Sequence, residues 1–199
     1  MAIIQSGAYT DNLTIGSSYK TLNSVPYDSR GYIACGYPAY SACTPTKFIA
    51  VAGTTPFAQL FNNGPKIVRV SRVQTIGQCA TAAVNADLVV TKRTAIGTGG
   101  TATVLTTVSK DRLAPLSSTI GKVFTAAPTA GQGGNVITTQ SVFLSLLGTP
   151  AIQVGATFDF LSLGQEPLIL RTGQGIELSF ATTTTNACTL TCMFEWMEF

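Results

Sequence analysis

The 199-residue chain contains no histidine. That absence removes the commonest general base, the commonest transition-metal ligand, and the Ser-His-Asp and Cys-His nucleophile arrangements together. No metal and no cofactor are therefore expected. Charge is scarce as well: Asp, Glu, Lys and Arg make up 11% of residues, less than half the share of an ordinary globular domain. The nine carboxylates, Asp11, Asp28, Asp87, Asp111, Asp159, Glu166, Glu177, Glu195 and Glu198, are scattered along the chain. Glycosidase chemistry needs two of them facing each other across a cleft. Glu166 and Glu177 on neighbouring strands would fit that need, but nothing in their spacing requires it. The expectation is a protein that is not an enzyme.

Long apolar runs are also missing. No stretch reaches about 18 uninterrupted apolar residues, and the opening MAIIQSGAYTDN has no basic region followed by a long apolar core. Neither a membrane span nor a signal peptide is expected, and the chain reads as made in the cytosol. The five cysteines, Cys35, Cys43, Cys79, Cys188 and Cys192, form no CxxC pair. In a reducing compartment they read as buried thiols acting as small hydrophobes. Cys188 and Cys192, four residues apart on one side of a strand, stand about 13 Å apart, too far for a direct disulfide.

What the chain does have is 30 threonines, 19 glycines and 45% apolar residues. That composition favours strands and turns over helices and supplies ample material for a core. A surface so poor in charge is hydrated by Thr, Ser and Gln or covered by a partner, which points toward assembly. Residues 1–46, rich in Gly, Ser, Tyr and Pro, read as an extended N-terminal arm or a set of short strands. Tyr19, Tyr27, Tyr32, Tyr37 and Tyr40 are aromatic groups with a polar tip, suited to lying along a partner's surface. The alternative is that this segment packs on the chain's own core.

From residue 47 to 199 the strand signals strengthen. FIAVAG (48–53) is a short apolar run, and Asn62-Asn63-Gly64-Pro65 carries turn chemistry. KIVRVSRVQTI (66–76) alternates, with Val68 and Val70 on one face and Arg69 and Ser71 on the other. DLVVTKRT (87–94) and TATVLTTV (101–108) flank AIGTGG and read as a hairpin. Residues 109–135, dense in Pro and Gly, read as a long loop or crossover, and SVFLSLLG (141–148) as a strand or a short helical turn. ATFDFLS, EPLILR, GIELSF and ACTLTCMFEWMEF finish the chain as strands, with PLILRTGQGIELSF (167–180) as a hairpin bent at Gly173 and Gly175. In the last strand Cys188, Leu190, Cys192, Phe194 and Trp196 point one way, and Thr189, Thr191 and Glu195 the other. Such alternation places it in an antiparallel sheet packed on a second sheet. The fold class expected is all-β: an antiparallel β-sandwich, jelly-roll-like, at 47–199.

The glycine clusters GTGGT (97–101) and GQGGN (131–135) precede no helix and carry no Lys-Ser/Thr at the required offset, so they are turns rather than phosphate loops. The net charge of +3 is too small to imply nucleic acid. Between 66 and 122, however, Lys66, Arg69, Arg72, Lys92, Arg93, Lys110, Arg112 and Lys122 stand against only Asp87 and Asp111. If strands 66–76 and 87–94 are neighbours, Arg69, Lys92 or Arg93 can share a face as an electropositive patch, either a solvated sheet face or a contact for an acidic protein, and these three with Arg72 are the basic candidates for a partner contact. No aromatic residues are interleaved for base stacking.

The order of these features resembles a group of small structural proteins of tailed bacteriophages, the capsid decoration or cement proteins. The resemblance is carried by Gly64, Lys66, Arg69 and Val70, by Lys92, Arg93, Thr94, Gly99, Gly100 and Thr101, and by Pro167, Leu168, Leu170, Arg171, Gly173 and Gly175. It covers residues 57–199 and departs from the pattern at Gln174, where an acidic residue is expected. It implies a virion protein on the outer face of an icosahedral head, a trimer or dimer at symmetry axes, stiffening contacts between major capsid protein subunits. Such a protein binds neither nucleic acid directly nor membrane. A tail, fibre or head-spike subunit that meets a host glycan shares the body plan, and a carbohydrate-active β-sandwich enzyme is the reading from a different class.

Overall fold

A computed structural model describes residues 38–46, 48–49, 54–80, 82–110, 114–131, 133–146, 155–161, 168–181 and 188–199. All regular structure among them is β, in thirteen strands. These are β1 (Ala39–Cys43), β2 (Phe48–Ile49), β3 (Ala58–Asn62), β4 (Val68–Cys79), β5 (Val84–Arg93), β6 (Thr101–Val104) and β7 (Thr107–Ser109), then β8 (Thr119–Ala126), β9 (Asn135–Leu146), β10 (Gly155–Asp159), β11 (Leu168–Leu170), β12 (Gly175–Phe180) and β13 (Cys188–Glu198). One compact unit runs from Ala39 to Phe199 and includes β1, which pairs with β13 and β7.

Two antiparallel sheets pack face to face. Sheet I has the order β7-β1-β13-β4, with β2 in line with β1 along β13, and with β10 and β11 end to end on the far side of β4. Sheet II has the order β6-β8-β3-β12-β5-β9. The far end of β9 leaves sheet II and pairs in parallel with the end of β4, joining the sheets at one corner. The alternating faces of these strands meet in one core of Trp196, Phe194, Phe57, Phe180, Leu60, Ile176, Leu178 and their neighbours. Phe57 and Phe180 lie with ring centroids 5.0 Å apart. Fully burying a side chain of this size contributes about 1.5–3 kcal/mol, so this interface dominates stability.

Strand β13 keeps the expected alternation throughout: Cys188, Leu190, Cys192, Phe194 and Trp196 are all buried. Its partner β4 does not. Val73 pairs with Phe194 and Val70 with Trp196, so Ser71 is an extra residue opposite the Glu195–Trp196 step. Strict alternation would turn Arg72 inward with Val68 and Val70. This β-bulge resets the phase, so Arg72 projects outward opposite Glu195 while Val73 returns to the core.

Both expected hairpins turn out to be crossovers. β5 and β6 do not pair; β5 lies between β12 and β9, whereas β6 is the far edge strand beyond β8. Likewise β11 pairs with β4 in sheet I, whereas β12 pairs with β3 and β5 in sheet II. The turn Arg171–Gln174 therefore carries the chain from one sheet to the other. The amide of Gln174 donates to the Arg171 carbonyl (2.9 Å), and Gly173, at φ 79°, supplies the positive φ that this reversal requires. Asn62 clamps the turn from below. Its buried Nδ2 donates to the carbonyls of Lys66 (2.7 Å) and Leu170 (3.1 Å), and its Oδ1 accepts from the Gly64 amide (3.0 Å). A sheet-switching turn needs such a clamp because no ladder of its own holds it.

The segment 109–135 is not a long loop, since it contains β8. Thr119, Gly121 and Val123 face inward there, and these small or polar residues conceal the strand period.

Candidate interaction surface

Tyr19, Tyr27, Tyr32 and Tyr37 lie outside the described residues. Tyr40 is not on a partner-facing surface. It sits on β1, 1% exposed, stacked on Trp196 at a centroid distance of 5.9 Å, and its hydroxyl donates to the Pro115 carbonyl (2.7 Å).

The four basic candidates do not converge. β4 lies in sheet I and β5 in sheet II, so Arg69 and Arg72 share no sheet with Lys92 and Arg93. Arg72 and Arg93 are each taken up by a carboxylate of their own chain. Glu195 lies between Arg72 Nη2 (2.6 Å) and Lys110 Nζ (2.6 Å) on the outer face of sheet I. Burial alone would raise the Glu195 pKa, but the hydrogen bonds from Lys110 and Arg72 override it and hold the carboxyl below its ordinary value. A depressed folded pKa stabilises the fold above the unfolded value, and that contribution is lost as pH falls through the folded one. The acid limb of stability, measured as urea midpoint against pH below 4.5, is accordingly expected to flatten in Glu195→Gln relative to the unaltered chain. An unchanged limb would show that this cluster does not couple folding to pH.

Among the described residues, Arg93 makes the most enclosed ion pair, with side chains 21% and 3% exposed. Its Nε donates to Glu177 Oε2 (2.6 Å), and the Gly131 amide donates to Oε1 (2.9 Å). Glu177 points away from the core, yet its side chain is only 3% exposed. What covers it is loop: 94–100 and 127–131, joined by a hydrogen bond from the Thr129 amide to the Thr98 carbonyl (2.8 Å). Gly97 and Gly131, one from each glycine cluster of the sequence, lie against the Glu177 carboxylate. A Cβ on Gly131 would fall 2.3 Å from the Ala95 carbonyl oxygen and 2.9 Å from Glu177 Oε1, so only glycine allows the backbone so close.

Glu198, the buried last residue of β13, accepts hydrogen bonds from Ser117, Thr119 (3.0 Å) and the Trp196 indole (3.4 Å), with Lys66 Nζ 3.6 Å from its other oxygen. Asp87 accepts from Ser141, and Asp159 from the Leu161 amide (2.8 Å). Every carboxylate among the described residues thus has an internal structural partner. Glu166 lies outside them, and Glu177 is committed to Arg93. At the hairpin-like turn, the Gln174 side-chain carbonyl accepts the Arg171 backbone amide (2.9 Å), so the residue at that position captures backbone and does not meet the guanidinium.

Lys92 has a different setting. It points into a groove of about 810 Å³ between the edges of the two sheets, where Ile137, Thr139 and Gln140 of β9 face Thr157, Asp159 and Ile169 of β10 and β11. Over 135–144 the groove-side edge of β9 pairs with no strand among the described residues. Its apolar side chains are open: Val136 is 64%, Phe143 48% and Ile137 40% exposed, as are Val104 (62%) and Val108 (58%) on the edge strands β6 and β7. The sequence did not single the β9 residues out, although the run NVITTQSVFLSL, apolar without a tight alternation, was the signal available.

Set beside known proteins, the chain matches no family model, no curated protein and no solved structure.

Proposed function

We propose that this protein is a non-catalytic assembly module, a virion structural protein of the capsid decoration type that binds major capsid subunits on the outer face of a tailed-phage head. The observation that carries the reading is the open, apolar edge of β9 on a sandwich whose described carboxylates are all engaged in holding their own fold. An exposed sheet edge is a template for an added strand from a partner, and the side chains of Val136, Ile137 and Phe143 supply apolar anchors beside it. Rigid attachment at several symmetric positions raises overall binding without strong individual contacts. The sequence resemblance adds the kind of partner.

The test is co-sedimentation of the purified full chain with emptied phage heads. Saturable binding is expected, reduced at least tenfold in Ile137→Lys and Phe143→Lys, with thermal midpoints unchanged because both side chains are exposed. Absence of binding to heads combined with binding on a glycan array would instead favour a host-contacting spike.

A further inference from the structure

Two cysteines that the sequence leaves 109 residues apart are brought side by side. Cys79 ends β4 and Cys188 begins β13, and the register places them directly opposite each other on antiparallel strands. Their Sγ atoms lie 2.8 Å apart, and both residues face the core, 0% and 1% exposed. Directly opposite residues on antiparallel strands have Cα atoms about 4.5–5.5 Å apart. That interval falls within the Cα range of about 4.4–6.8 Å that a disulfide requires, so bonding needs no shift of either strand. The other described thiols have no such partner: Cys192 packs against Thr75 Oγ1 at 3.8 Å, and Cys43 is exposed on the opposite edge of β13.

We propose that Cys79 and Cys188 are a disulfide site, a covalent staple that joins the two central strands of sheet I when the protein meets a disulfide oxidant. The chemistry is two thiol–disulfide exchanges. The thiolate of one cysteine attacks the disulfide of oxidised glutathione, which forms a mixed disulfide and releases one glutathione thiolate. The second cysteine then attacks the protein-side sulfur of that mixed disulfide and releases the other. The two protons lost by the protein thiols pass to the two glutathione thiolates, so the protein dithiol is oxidised and one glutathione disulfide is reduced to two thiols.

Burial, followed by the contact with Cys79, pushes the Cys188 thiol up to about 12. Exchange in the closed fold is correspondingly slow, and it proceeds when this end of the β4–β13 ladder frays. Once formed, the bond closes the 109-residue span at the Cys79 end of the β4–β13 ladder. It persists whichever partner occupies the open edge of β9.

The experiment incubates the full reduced chain with oxidised glutathione and maps it by non-reducing peptide mass spectrometry. The expected result is a Cys79–Cys188 linked peptide, an intact mass lower by two hydrogens, and a thermal midpoint raised by roughly 10 °C that returns on adding a dithiol. Cys43→Ser is expected to keep the shift and Cys79→Val to abolish it. Because Cys79→Val alters the core, mapping of the unaltered chain decides the matter if that variant does not fold. A chain that stays reduced at both positions even after refolding in the oxidant, or that links either cysteine elsewhere, overturns the proposal.

Discussion

Replacing Arg93 with methionine is expected to destabilise the protein by about 3–5 kcal/mol, the range for breaking a buried ion pair by removing one partner. Methionine keeps the aliphatic stem but leaves the Glu177 carboxylate, 3% exposed, with only the Gly131 amide to face. The cost is mainly that of a stranded charge, which distinguishes this pair from exposed pairs worth little. It follows that adding Glu177→Gln to Arg93→Met restores a large part of the loss, because a neutral amide tolerates the site. The urea midpoints of the two single variants and the double variant form the cycle that measures this coupling. The same change loosens the two covering loops, so limited proteolysis should cut within 94–100 or 127–131 of Arg93→Met well before it cuts the unaltered chain. An Arg93→Met variant within about 0.5 kcal/mol of the unaltered protein would mean that the loops hold themselves and the ion pair is incidental.

Trp196→Ala is expected to cost about 3–5 kcal/mol. Trp196 heads the largest fully buried side chains, stacks on Tyr40 and reaches Glu198 with its indole nitrogen. Truncation opens a cavity in the core beside Tyr40 and removes one donor from a carboxylate that is itself 1% exposed. Trp196→Phe keeps a ring against Tyr40 and loses the N–H, so it should cost less than half as much. Because the chain has a single tryptophan, emission of the unaltered protein reports this site alone, with a short-wavelength maximum that moves red on unfolding. Far-ultraviolet circular dichroism then follows Trp196→Ala. Equal costs for the alanine and phenylalanine variants would show that the site collapses and the cavity carries no weight.

The parts of this fold that local periodicity encodes were legible in the chain. Strand β13 was readable because five core residues at alternate positions, Cys188 to Trp196, leave no second interpretation, and one such strand implies a packed second sheet. Where inward positions hold Thr119 and Gly121, as in β8, the period is hidden, although the backbone is as extended as any other. The bulge at Ser71 reverses the facing of Arg72, and nothing in VRVSRV marks which residue is extra. Pairing across the chain was less legible still. Arg93 finds Glu177 84 residues away, and the turn at Gly173 looks the same in sequence whether it closes a hairpin or hands the chain to the opposite sheet. The basic patch failed for the same reason: residue spacing fixes which face of a strand a side chain takes, but not which sheet that strand joins.

The position of β13 also bears on how the chain is made. β13 is the centre of sheet I, touching β1, β2 and β4, yet about 145 residues separate it from β1. At elongation rates of roughly 5–20 residues per second, β1 and β4 wait on the order of ten seconds for the strand that joins them. During that interval their apolar faces and unpaired edges are open to other nascent chains. Crowded synthesis therefore favours wrong partners, and slower expression at low temperature, or a chaperone that shields extended apolar segments, should raise the soluble yield more than any change to the finished surface.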